Sequence, residues 1–194
     1  MDDRIFGERE KAMEEAFFRD QDARLLDKLR QRADLDDIAV ELGRKLQVDS
    51  PELLAKVREL GVTLETAAAF FLAPLVQVAW AEGKVKKSEL NTVLRLAAER
   101  GIAEDSPALA KLKEWLRIRP SDSFFSTALE VLHAGFAVLP PAERESRVKS
   151  VLDACRQVAE ASAGVGRLFG IDDGVSSVEA DILESIAGEL RSHD

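Results

Sequence analysis

Apolar residues recur at three- and four-residue spacing along almost the whole chain, and no segment sustains period-two alternation with β-branched enrichment. That pattern predicts helices throughout. Phe6, Met13, Phe17, Leu25 and Leu29 mark the stripe of a first, highly charged helix over residues 3–32, and Asp34 is placed to cap a short helix to about Leu46. Ser50-Pro51 reads as an N-cap followed by proline at the first helical position, opening a helix to Leu60 that Gly61 stops. Thr63 is expected to cap the next segment, with Pro74 kinking or splitting it. Helices are then expected from Lys86 or Ser88 to Arg100, with Gly101 as the stop, and from Ser106-Pro107 to about Trp115. Asp122 is expected to start a helix to Leu139, and Pro140-Pro141 to launch one over residues 142–163. After a glycine-rich stretch, Ser176 and Glu179 form a capping box for the last helix.

The run AAAFFLAPLVQVAWA, Ala67 to Ala81, is apolar except for Gln77. A membrane span needs about 20 apolar residues, whereas this run is shorter, contains Pro74 and ends at Glu82 and Gly83. It reads as the buried middle of a bundle, with no membrane span. The expected fold is all-α: a helical N-terminal extension over 1–62 and a compact helical domain over 63–194.

Composition removes several function classes. With 36 acidic against 27 basic side chains, the net charge of −9 argues against a nucleic-acid binder, which must meet phosphates with clustered Lys and Arg. One cysteine excludes a disulfide framework, and Cys155 with His133 and His193 cannot build a structural zinc site. The start Met1-Asp2-Asp3-Arg4 lacks the features of an export signal, so a cytoplasmic location is expected.

Two segments 80 residues apart repeat one another. Gln77-Val78-Ala79-Trp80-Ala81 precedes Glu82-Gly83 and Glu89, and Gln157-Val158-Ala159-Glu160-Ala161 precedes Asp173-Gly174 and Glu179. After each glutamate, apolar residues fall at plus four, seven and eight: Val93, Leu96 and Ala97, then Leu183, Ile186 and Ala187. The second copy is ten residues longer between its Gln and its Glu, an insertion around residues 164–171. The arrangement describes a helix, an acidic-Gly turn and a second helix, used twice. Two readings of the carboxylates stay open. They cap helices and face the positive ends of helix dipoles, or they converge on a ligand.

The strings VAWAEGKVKKSE and IDDGVSSVEADILESIA resemble the paired alanine-rich, acidic-Gly, Glu motifs of the tellurite-resistance TerB-like family, over about residues 66–192. That family includes a related domain of a membrane-anchored DnaJ-type cochaperone. The resemblance implies an all-helical fold, neighbouring acidic motifs, a link to chemical stress and suspected metal binding. Carried over by residue, Gly83, Glu89, Asp173, Gly174 and Glu179 match, whereas Glu82 stands where the family more often has Asp. No J-domain His-Pro-Asp motif occurs, so the cochaperone's activity does not transfer.

If the copies pack about a pseudo-twofold axis, Glu82, Glu89, Asp172, Asp173 and Glu179 converge, and a set of oxygen ligands suits Ca²⁺, Mg²⁺ or Mn²⁺. The pattern is not an EF-hand, because Gly174 at the sixth loop position places Phe169 at the first ligand position. Charge is also polarised: residues 160–194 hold eight acids and two bases, while residues 84–119 hold nine bases and five acids. Solvated helix faces explain this, as does a basic stretch, Lys111, Lys113, Arg117 and Arg119, that docks an acidic partner.

Catalysis finds little footing. Cys155 lies on the apolar stripe of its helix, His133 sits within a helix pattern, and Gly164-Val165-Gly166 lacks the residues that complete a phosphate loop. The N-terminal string FGEREKAMEEAFFRDQD, Phe6 to Asp22, is similar to the start of the bacterial F-type ATPase inhibitor zeta subunit. It suits packing on its own bundle, a homodimer through that helix, or a partner-binding arm. The expectation is a non-enzymatic TerB-like module that binds a divalent cation and serves in stress response as a binding or scaffold protein. The alternative is a protein–protein interaction module that uses the N-terminal helix or the basic stretch, with the carboxylates only capping helices.

Overall fold

A computed structural model describes residues 40–162 and 175–192, together with Arg24. Every regular element among them is helical, and none is a strand. One compact unit runs from Glu41 to the C-terminus, so residues 41–62 supply Leu42, Leu46, Val48, Leu53, Leu54, Val57 and Val62 to the same core as the rest. Residues 3–23 and 25–32 of the first expected helix lie outside the described residues, as does Asp34.

After helical residues 40–46 come α1 (Pro51–Glu59), α2 (Ala67–Phe70), α3 (Ala73–Ala79), α4 (Lys87–Glu99), α5 (Pro107–Arg117), α6 (Asp122–Ala137), α7 (Pro141–Ala161) and α8 (Ser177–Arg191). Serine side chains cap four of these eight starts. The Oγ atoms of Ser50, Ser106, Ser121 and Ser176 each accept from the backbone N–H three residues on, at 3.1–3.3 Å. Each satisfies one donor that the helix's first turn leaves free. The start of α6 therefore differs from expectation: Ser121 is its cap, and Asp122 is the first helical residue, paired with Arg119 at 2.6 Å. Thr63 does not cap by side chain either. Its N–H donates to Thr66 Oγ1 at 2.9 Å in a turn that precedes α2.

The apolar run of residues 67–81 is split in two, with Pro74 in the first turn of α3, where its missing N–H costs nothing. Helix α3 is the centre of the bundle. It packs against α4, α5, α6, α7 and α8, and buries Ala73, Pro74, Leu75, Val76, Val78 and Ala79. Enclosure on all sides is why it lacks a polar face. Around it, Phe124 stacks edge-on against Phe70 and Phe125 and packs against Trp115, with centroids 4.7–5.5 Å apart. Trp80 Nε1 donates to the carbonyl of Trp115 at 2.8 Å, so its one polar group is satisfied. Among the described residues, no helix is long and apolar enough to cross a membrane.

Candidate functional site

The first repeat copy turns between α3 and α4. Gly83 takes φ 79°, a left-handed conformation that strains any residue with a β-carbon and that glycine adopts freely. Helix α4 then starts at Lys87, with Lys86 as its cap residue. An ammonium has no lone pair to offer, so only half of the reciprocal cap forms: Glu89 Oε2 accepts from the Lys86 backbone N–H at 2.5 Å. The second copy makes both halves. Glu179 Oε2 accepts from Ser176 N–H at 2.7 Å, and Ser176 Oγ accepts from Glu179 N–H at 3.3 Å. Both glutamates are thus the third residue of a helix, reaching back to the residue that opens it, and the repeat in sequence is a repeat in capping geometry.

Lys86 joins the copies. Its Nζ lies 2.8 Å from Glu82 Oε2 and donates to the Ser162 carbonyl at 3.3 Å, at the end of α7. Ser162 Oγ in turn donates to Glu179 Oε2 at 3.2 Å. The hydrogen bond to Glu82, with the charges of Glu82, Glu89 and Glu179, raises the Lys86 pKa against the lowering effect of burial. Glu89, 1% exposed, is pushed up to about 7 by loss of solvation. The backbone hydrogen bond and charge of Lys86 oppose that rise, while the negative charges of Glu179 and Glu82 add to it.

Of the five expected ligands, the structure brings Glu82, Glu89 and Glu179 within electrostatic reach of one lysine. Asp172 and Asp173 lie outside the described residues. Among the described residues, no group of three or more His, Cys, Asp or Glu side chains is disposed to hold a metal ion. One oxygen each of Glu82, Glu89 and Glu179 is taken by an ammonium, an amide or a hydroxyl donor. Glu179, 0% exposed, keeps its other oxygen, Oε1, buried without a hydrogen-bond partner. Lys86 and Ser162 were not singled out in the sequence. The signal for Lys86 was its position four residues after Glu82, the spacing of a helical ion pair.

The other candidates resolve as follows. Cys155 is fully buried, with its thiol pushed up to about 12 by desolvation. His133 Nε2 pairs with the Ser192 carbonyl at 2.9 Å. In the basic stretch, Lys111 is held by Glu114 at 3.1 Å, and Arg119 by Asp122, with its guanidinium 5.5 Å from the Phe125 ring centre. Lys113 and Arg117 are exposed on α5, beside Ile118, which is 59% exposed.

No family profile, curated protein or solved structure matches the chain.

Proposed function

We propose that the chain is a non-enzymatic helical interaction module in which the paired acidic motifs fasten helices together, and an exposed basic surface at the end of α5 meets an acidic partner. The observation that carries this reading is the Lys86 ammonium, 2.8 Å from Glu82 Oε2 and within electrostatic reach of Glu89 and Glu179, a positive charge that the chain itself supplies to its acidic motifs. A cluster with its own counter-charge, and with Glu89 and Glu179 engaged in caps, has part of its negative charge offset from within. Exposed Ile118 between Arg117 and Arg119 supplies apolar contact flanked by cations, a composition suited to an acidic, partly apolar surface. The buried thiol of Cys155 suits a reducing compartment and a structural role, in keeping with a cytoplasmic, non-catalytic protein.

A second reading, binding of Ca²⁺, Mg²⁺ or Mn²⁺ in a TerB-like stress role, draws support from Glu179 Oε1, a buried carboxylate oxygen without a donor. Thermal unfolding with millimolar Ca²⁺, Mg²⁺ or Mn²⁺ separates the two. An unchanged Tm in the wild-type chain supports the interaction module. A rise in Tm that vanishes in Glu89→Gln/Glu179→Gln, with helix content intact, establishes the cation reading in its place.

A further inference from the structure

We draw no further inference here: the strongest candidate, the cavity of about 540 Å³ between α6, α7 and α8, has a wall that ends at Ser192, past which the chain lies outside the described residues, so nothing in the structure shows what covers it.

Discussion

The Nζ of Lys86 donates to the main-chain carbonyl of Ser162 at 3.3 Å, across 76 residues of sequence. The same serine passes the connection on, since its hydroxyl donates to Glu179. A lysine in the first repeat copy thereby fixes the end of α7 beside the start of α8, and the two capping glutamates share one counter-charge.

Removing that charge leaves Glu82, Glu89 and Glu179 without it. Lys86→Met is expected to cost about 1–2 kcal/mol of stability at pH 8, read by urea unfolding. The loss shrinks at pH 5.5, because Glu89 takes up a proton there. A variant as stable as wild type at pH 8 would show that the lysine is a bystander.

Glu89 makes the pH dependence of stability specific. Its folded pKa of about 7 lies above the ordinary 4.5. The folded state therefore holds the proton more tightly than the unfolded chain does. This contribution is fully present below about pH 4.5 and is lost as pH rises through about 7, by about 3 kcal/mol at most. In Glu89→Gln the side chain is neutral and still accepts from the Lys86 N–H, so its unfolding midpoint in urea is expected to change less between pH 5 and pH 8. Parallel wild-type and variant profiles would remove Glu89 from the account.

Leu75 lies in α3 and is 1% exposed, whereas Ile118 is 59% exposed. Leu75→Ala is expected to destabilise the fold by about 2–5 kcal/mol through lost burial and a residual cavity. Ile118→Ala is expected to change it by no more than about 0.5 kcal/mol while weakening capture of an acidic partner. Chemical denaturation of both variants checks the contrast.

Cys155 offers a direct probe of core integrity. With the thiol buried and its pKa pushed up to about 12, a disulfide reagent at pH 8 is expected to react with it only as fast as the core opens, and at once in denaturant. Rapid labelling of the native protein would contradict the burial.

Much of this architecture is legible in the residues themselves. The serine caps before Pro51 and Pro107, the glycine stops at Gly61 and Gly101 and the capping box at Ser176 are local chemistry, settled within about one helical turn. So is the burial of α3, because a helix without a polar face has only the centre of a bundle to occupy. The repeat was equally visible: Val93, Leu96, Ala97 and Ile186 are buried, while Leu183 and Ala187 of the second copy are half-buried against the same core.

Spacing alone left open what the acidic motifs do, and the expectation that Asp122 opens α6 gave way to Ser121, whose Oγ is the one that accepts from the Phe124 N–H. Carboxylates at matching positions are compatible with a metal cluster and with two caps, since both need oxygen atoms at a helix start. Which one forms depends on what arrives from elsewhere in the chain. Among the described residues, the sequence alone determined most of the helices, the serine caps before Pro51 and Pro107, the capping box at Ser176 and the repeat, because neighbouring residues set those. Only the tertiary structure decided that Lys86 stands between Glu82 and Ser162, and that Arg144 and Leu190 line one cavity. Those distances depend on how α3, α4, α6, α7 and α8 pack, and a linear pattern of residues does not contain them.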